Sequence, residues 1–329
     1  MRAERIERTG IEAVGAAAPE LSIVVPARDE EACIEATLRA AHGRARHLVR
    51  SIELIVVDDG SLDRTLDRAE ALHREMPVTV LRLSRNFGKE QAIMAGLARA
   101  RGAAVIVVDA DLQEPVDAIG TMIARWREGW EMVYAVRAHR RDETRAKRVL
   151  TGAFYHMLNT GSEAAIPCDA RDFRLMDRRV VDALLSLPER TRFMKGLYGW
   201  VGFRATAVPV ELAPRAGGTS KFGLRGLWRL AVTGLTAFTS WPLRVWTGVG
   251  LGVAALSLLY GAFLAARTLL FGHPIAGWST LAVGVFLLGG VQLFSIGVLG
   301  EYLARVFAEV KGRPGYIVAE IRGRGAADG

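Results

Sequence analysis

The chain has 329 residues, enough for one sizeable core and an appendage, and half of them are hydrophobic, a high share for a purely soluble protein. Its 43 Lys and Arg against 35 Asp and Glu leave a net charge of +8, which suits nucleic acid, anionic lipid or phosphorylated substrates and does not choose among them. Two cysteines, Cys33 and Cys168, and six scattered histidines match no zinc spacing and no disulfide framework, so two small buried thiols in a reducing compartment are expected.

The first segment, Met1 to Glu20, alternates Arg and Glu without an apolar core. It is not a signal peptide, residues 1–20 are expected to be disordered, and the chain from Leu21 onward is expected to start in the cytosol. From Leu21 to about Leu212, short apolar runs alternate with amphipathic stretches. Leu21–Pro26, Ile52–Asp58, Val78–Leu83, Val105–Asp109 and Met132–Val136 are rich in Val and Ile and predict buried strands. Between them Glu30–Ala41, Leu62–Arg74, Glu90–Ala100 and Val116–Glu128 carry helical periodicity, with Pro115 suited to the first turn of the last. This alternation predicts an α/β fold, a mostly parallel sheet with helices on both faces. In such sheets ligands bind beyond the carboxyl ends of the strands.

The composition changes after Lys221. Phe222–Trp241 is apolar but carries Arg225 and Arg229 at helical spacing, which suits an amphipathic helix in the membrane interface; a last helix packed on the soluble domain is the competing reading. Val245–Ala266 and Pro274–Gly300 hold no charge, and a spanning helix needs about 20 apolar residues, so two transmembrane helices are expected. Arg225, Arg229 and Arg244 precede the first, Arg305, Lys311 and Arg313 follow the second, and the connecting loop holds only Arg267 and His273. The positive-inside bias puts both termini in the cytosol and the loop outside. The tail from Arg322 to Gly329 reads as disordered.

Two acidic motifs end predicted strands. Asp109-Ala110-Asp111-Leu112-Gln113 offers two carboxylates and an amide oxygen, and hard cations such as Mg²⁺ take one or two carboxylates plus substrate phosphate oxygens. Alone it is a weak signal, because acidic turns after strands are common. Asp58-Asp59-Gly60-Ser61 places a carboxylate where it could accept hydrogen bonds from a ribose or a base N–H; a turn with a helix cap at Ser61 is the alternative. Neither a dinucleotide-type glycine loop nor a Walker A loop explains these acids. Arg215-Ala216-Gly217-Gly218-Thr219-Ser220-Lys221 combines glycines that let backbone approach an anion with two cations, and a flexible linker with solvated charges reads equally well.

Together with Val24-Val25-Pro26-Ala27-Arg28-Asp29-Glu30-Glu31, Val56-Val57-Asp58-Asp59-Gly60-Ser61 and Asn86-Phe87-Gly88-Lys89, the Asp109–Gln113 motif resembles the inverting family-2 glycosyltransferases with the GT-A fold. The branch it resembles holds the dolichyl-phosphate mannosyltransferases and bacterial polyprenyl-phosphate glucosyltransferases, and the likeness runs from about Leu21 to Val318. The resemblance implies that Pro26, Arg28, Glu30, Val56 and Asp58 hold the nucleoside, and that Asp109 and Ala110 lie along the ribose and diphosphate. It implies Asp111 and Gln113 as ligands of Mg²⁺ or Mn²⁺, and Arg137, Arg215 and Lys221 on the donor phosphates. Asp172, in Asp169-Ala170-Arg171-Asp172-Phe173-Arg174-Leu175-Met176, falls where the family carries a carboxylate near the sugar. Arg190, Arg192 and Lys195 are candidates for the acceptor phosphate, with a surface helix face near anionic lipid as the alternative.

The implied organisation is a GT-A catalytic domain over 21–220, an interfacial helix over 221–243, two transmembrane helices over 244–306 and a tail over 307–329, in a cell inner membrane with the catalytic domain cytoplasmic. The implied reaction moves a hexose, from UDP-glucose or a similar UDP-hexose, onto polyprenyl phosphate with inversion; GDP-mannose, UDP-N-acetylglucosamine and modified arabinose donors stay open. A phosphate monoester has a second pKa of about 6, so the acceptor is already ionised and Asp172 need not be a general base. Lys221 with Arg215 would stabilise the leaving diphosphate. A processive polysaccharide synthase is disfavoured by the absence of a Gln-x-x-Arg-Trp motif, and a non-catalytic lipid-binding or flippase subunit by the intact Asp111 and Gln113. Expected partners are the nucleotide-sugar, the polyprenyl phosphate, membrane lipid and another copy of the chain, and not nucleic acid.

Overall fold

The structure, a computed structural model, describes residues 18–138, 170–189, 192–211, 241–271 and 277–323. The chain divides into two compact units. One holds the described residues up to 211 and those from Pro314 onward, and the other holds those between 241 and 313.

The first unit is built on one eight-stranded sheet among the described residues. Its strands are β1 (Leu21–Ala27), β2 (Ile52–Asp58), β3 (Val78–Leu83), β4 (Ala104–Val107), β5 (Met132–Arg137), β6 (Ala170–Asp177), β7 (Ala205–Val210) and β8 (Val318–Gly323), in the order β7-β5-β6-β4-β1-β2-β3-β8. The centre, β4-β1-β2-β3, is parallel throughout. Antiparallel β6 joins β4 to β5, β7 runs parallel to β5, and β8 runs antiparallel on the edge of β3. The sheet is therefore mixed but mostly parallel at its core, as the strand–helix alternation predicts.

Every residue of β1 is buried, as expected for a strand covered on both faces. Ile23 and Val25 join a core with Ile34, Leu38 and Ala41 of α1 (Ile34–Ala45), Ala69 of α2 (Thr65–Ala71) and Ile119, Met122 and Ile123 of α4 (Ala118–Arg127). Val24 points the other way, to α3 (Lys89–Arg99). There a Cβ added at Gly96 would lie 2.3 Å from Val24 Cγ1 and 3.2 Å from Val57 Cγ2, so glycine is what lets α3 approach the sheet so closely. Two further helices, α5 (Arg178–Ser186) and α6 (Met194–Trp200), complete the described part of this unit. Asp177 caps α5, its carboxylate accepting from Arg179 N.

Three helix starts fall later than periodicity suggests; α4 begins at Ala118 instead of Val116, with Pro115 in the turn before it, its carbonyl accepting from Ala118 N. Asp29 has φ +52°, and Glu30 to Cys33 form a turn closed by Cys33 N donating to Glu30 O, so α1 begins at Ile34 instead of Glu30. Helix α2 begins at Thr65 instead of Leu62, because Asp63 Oδ1 accepts from Thr65 N at 2.9 Å. Ser61 does not cap it: Ser61 N donates to Asp58 Oδ1 and Ser61 Oγ accepts from Asp29 N. Strand β8 includes Arg322 and Gly323, where the sequence reads as disordered.

The second unit contains two long helices, α7 (Trp241–Phe271, 31 residues) and α8 (Trp278–Val310, 33 residues). At 1.5 Å per residue each is roughly 45–50 Å long. Leu251 and Phe263 on α7 and Leu293 and Phe307 on α8 are all more than half exposed. One stretch among the described residues, Leu287–Val310, is long and apolar enough to cross a membrane by length and composition. The interfacial helix expected over 221–243 lies outside the described residues except for its last three, which open α7.

Candidate active site

The carboxyl ends of β1 and β2 carry two loops that hold each other. Asp29 N donates to Ser61 Oγ (3.0 Å), Leu62 N to Asp29 Oδ1 (2.9 Å) and Glu30 N to Thr65 Oγ1 (2.8 Å). At the end of β2, Asp58 is 1% exposed, and burial pushes its carboxyl up against the opposing bonds from Ser61. Asp58 Oδ2 is buried with no hydrogen-bond partner in the protein. A buried acceptor without a donor is costly, so this atom suits a ligand N–H or O–H. The neighbouring Asp59 works inward: its carboxylate accepts from Phe87 N (2.7 Å) and Gly88 N (2.9 Å). That fixes the turn before α3, where Gly88 takes φ +98°, a conformation that favours glycine.

The turn places Lys89 over the end of β4. Its Nζ lies 2.6 Å from Asp109 Oδ1 and 2.9 Å from Asp172 Oδ2. Burial pulls the Lys89 ammonium down, but the Asp172 and Asp109 carboxylates outweigh it and hold the group above its ordinary value. Burial likewise favours a neutral Asp172, yet Lys89 and Lys195 keep that carboxyl well below the usual carboxylate range. Glu114 is buried, with Oε2 accepting from Asp109 N at 3.2 Å and Oε1 3.5 Å from Arg171 Nε. Burial, with Asp109 adding to it, pushes Glu114 up to about 8. Glu90 accepts from Met194 N at 3.3 Å and is pushed up to about 7 by burial. Beneath Asp172, the fully buried Arg174 stacks on Tyr198, 3.4 Å from its ring centroid, and donates to Arg171 O.

Asp111 and Gln113 lie on the loop after β4, and Gln113 N donates to Asp111 Oδ1 at 3.1 Å. Between them Leu112 has φ +57°, a strained conformation for a branched residue and one that tends to mark functional loops. Among the described residues no cluster of three or more His, Cys, Asp or Glu could hold a metal by itself. The donors here, one carboxylate and one amide oxygen, leave most of a coordination sphere to substrate phosphate and water, which is how Mg²⁺ and Mn²⁺ are commonly held.

The other predicted site residues are spread more widely. Pro26 and Val56 are buried in β1 and β2, beside the partners Val57 and Val25. Arg28 is exposed, 3.6 Å from Asp29. Ala110 is buried and its carbonyl accepts from Thr37 Oγ1. Arg137 closes β5, opposite Val210. Lys195 on α6 is close enough to Asp172 and Lys89 for their charges to act on it, and burial lowers its pKa. Arg192 donates to the carbonyls of Leu184 and Leu187 at the end of α5. Arg190, Arg215 and Lys221 lie outside the described residues.

Sequence reading alone gave no role to Lys89, Asp59, Glu90, Glu114 or Arg174. A signal existed for Lys89: a lysine at the first position of a helix opposes the macrodipole, which favours acids there.

Residues 22–185 match the model of the glycosyl transferase family 2, and residues 241–306 match the GtrB C-terminal hairpin. An uncharacterized glycosyltransferase of Synechocystis sp. is 44% identical, over 92% of this chain and 96% of its own. The bactoprenol glucosyl transferase of Shigella phage SfII is 44% identical over 91% of this chain and 97% of its own. Among solved structures, glucosyl-3-phosphoglycerate synthase from Mycobacterium tuberculosis is 22% identical, over 65% of this chain and 78% of that one, with a TM-score of 0.44.

Proposed function

The chain belongs to glycosyl transferase family 2, and from that premise we propose that it transfers glucose from UDP-glucose to a polyprenyl phosphate, with inversion, at the cytoplasmic face of a membrane. The observation that carries this reading is the gathering of Asp58, Asp109, Asp111 and Asp172 around the carboxyl end of the parallel strands, in a chain whose likeness to bactoprenol glucosyl transferases runs through both the sheet and the hairpin.

Asp58 Oδ2 is suited to accept from a uracil N–H or a ribose hydroxyl, with Pro26, Arg28, Glu30 and Val56 around the nucleoside. Asp109 and Ala110 would follow the ribose and diphosphate, and Arg137, Arg215 and Lys221 would meet the phosphates. Asp111 and Gln113 would hold a divalent cation, whose contribution is to neutralise charge on the diphosphate. A phosphate oxygen of the acceptor forms the new bond to the anomeric carbon as the bond to the nucleoside diphosphate breaks. Arg215 and Lys221 then stabilise the charge that grows on the leaving group. The acceptor is mostly a dianion at cytosolic pH, so no proton has to be removed. The depressed pKa of Asp172 supports a positioning role for that carboxylate. Arg190 and Lys195 remain the candidates for the acceptor phosphate, whereas the bonds from Arg192 to α5 carbonyls favour a structural part for that side chain.

Connectivity supports an even number of membrane crossings. Strand β8, after α8, pairs with β3 of the sheet that precedes α7. The segment between them must begin and end on one side of a bilayer, so the number of crossings is even. If α8 crosses, a second crossing is needed in the same segment, and α7 is the described helix long enough to supply it. With the flanking arginines, this supports two spans, both ends of the hairpin cytoplasmic and the residues near Gly277 outside.

The test is a transfer assay with purified full-length chain in detergent, polyprenyl phosphate, a divalent cation and, in turn, UDP-glucose, UDP-N-acetylglucosamine and GDP-mannose. A β-linked polyprenyl-phosphate glucose from UDP-glucose is expected. A lipid product from another donor alone would overturn the donor, and nucleotide-sugar binding without any lipid product would revive a non-catalytic subunit. A cysteine placed at Gly277 in a chain lacking Cys33 and Cys168 is expected to react with an impermeant thiol reagent on intact cells. Labelling only after lysis would overturn the topology.

A further inference from the structure

The antiparallel register of β4 and β6 runs from Ala104↔Asp177 to Val107↔Arg174. Continued two residues beyond its last pair, that register would bring Asp109 opposite Asp172. Directly opposed residues of an antiparallel pair share a face, and like charges so placed repel. Here the two carboxylates have an ammonium between them, Lys89 Nζ, within 3 Å of both. Lys89 comes from α3, on a turn fixed by the two bonds from Phe87 and Gly88 to Asp59.

We infer that Lys89 is a positioning residue: its ammonium fixes the Asp172 carboxylate, ionised, against Asp109, so that Asp172 serves as a stationary negative charge and not as a proton acceptor. The catalytic part of this inference rests on the proposed transfer reaction, and the structural part does not. The groups facing Asp172 are Lys89 and Glu90 on α3, Asp109 after β4, Arg174 on β6, and Lys195 and Tyr198 on α6. Of the cations, Lys89 pairs with it directly, while Lys195 and Arg174 act through space. Removing Lys89 leaves only Lys195 and Arg174, acting through space, against burial and the facing Glu90 and Asp109, so Asp172 protonates more readily.

A thermal-melt cycle on the full-length protein in detergent at pH 7.5 compares wild type, Lys89→Met, Asp172→Asn and the double variant. Asp172→Asn is expected to lower Tm in the wild-type background, where it strips Lys89 of a partner. In the Lys89→Met background it is expected to raise Tm, because it removes one of two facing carboxylates. Equal changes in both backgrounds would overturn the inference. If Lys89→Met does not fold, adding Asp172→Asn is expected to restore folding, and failure of the double variant also overturns it. This cycle stands whether or not the chain transfers glucose.

The catalytic part is read from turnover against pH. Lys89→Met is expected to acquire an acidic limb, kcat falling as Asp172 protonates, with a smaller change in KM for the donor. Wild type and Lys89→Arg lack the limb, and Lys89→Met with Asp172→Asn loses it. A Lys89→Met profile that parallels wild type at lower amplitude marks a purely structural lysine and overturns this part. Absence of transfer by wild type itself would overturn the proposed function instead.

Discussion

In the sheet unit Arg174 is fully buried against Tyr198, and Lys89 ties together two carboxylates at the end of β4 and β6; on α7 and α8, by contrast, Leu251, Phe263 and Leu293 are more than half exposed. The same physical rule governs both. A polar group withdrawn from water needs a partner, and an apolar group needs an apolar surround, supplied in one unit by the protein and in the other, on the proposed reading, by lipid. Changes that remove a partner in the sheet unit should therefore be severe, and truncations on the outward face of the hairpin should be mild.

The sharpest break comes at the metal-binding loop. Asp111→Ala removes the one carboxylate of the proposed cation site, and turnover is expected to fall by more than about 10²-fold while the protein still folds. Steady-state kinetics across a Mg²⁺ and Mn²⁺ titration decide this, since unchanged metal-dependent turnover would place the ion elsewhere. Gly96→Ala comes next. The added Cβ drives into Val24, and overpacking of about 1–3 kcal/mol outweighs the helix propensity gained, about 1 kcal/mol. Denaturant titration should show a net loss, and a stabilised variant would mean that α3 can lift from the sheet freely.

A smaller effect concerns Glu90. Its folded-state pKa is raised to about 7, so the stability it contributes is fully present below its ordinary value of 4.5 and is lost as pH rises through about 7. Its surroundings are Lys89, Asp172, Lys195 and the Met194 N–H. Melting curves of Glu90→Gln minus wild type should gain steadily between pH 4.5 and 7, and a flat difference would show that Glu90 stays ionised throughout. The mildest change is Leu293→Ala on α8, where the side chain is 73% exposed; Tm in detergent should shift by no more than about 0.5 kcal/mol allows. A large shift would reveal a packed partner for that face.

The parallel core was legible because its strands are short, apolar and bounded by turn signals: β2 and β3 have the ends the sequence suggests. The helix starts were less so, since Asp29 and Asp63 hold polar turns that still carry helical periodicity. Strands β6, β7 and β8 escaped: β7 carries Pro209, and the residues of β6 and β8 do not look like a strand's. Arg171, Asp172 and Arg174 interrupt β6, and their charges are met by Lys89, Glu114 and Tyr198 from elsewhere and by the strand's own Arg171 carbonyl. Likewise β8 is Val-Ala-Glu-Ile-Arg-Gly, and its pairing with β3 is a contact more than 230 residues away in sequence. The acidic site motifs were readable as chain-local patterns. The ammonium that joins Asp109 to Asp172 was not, because it depends on which helix crosses which strand.

The pairing of β8 with β3 also orders the life of the chain during synthesis. Strand β3 is made early, yet its outer edge finds a partner only after the whole segment containing α7 and α8 has left the ribosome. Until then that edge exposes unpaired backbone groups, the kind of surface on which strands of other chains can add. A chain that ends before Val318 would carry every proposed catalytic residue in its sequence and leave the outer edge of β3 without its β8 partner.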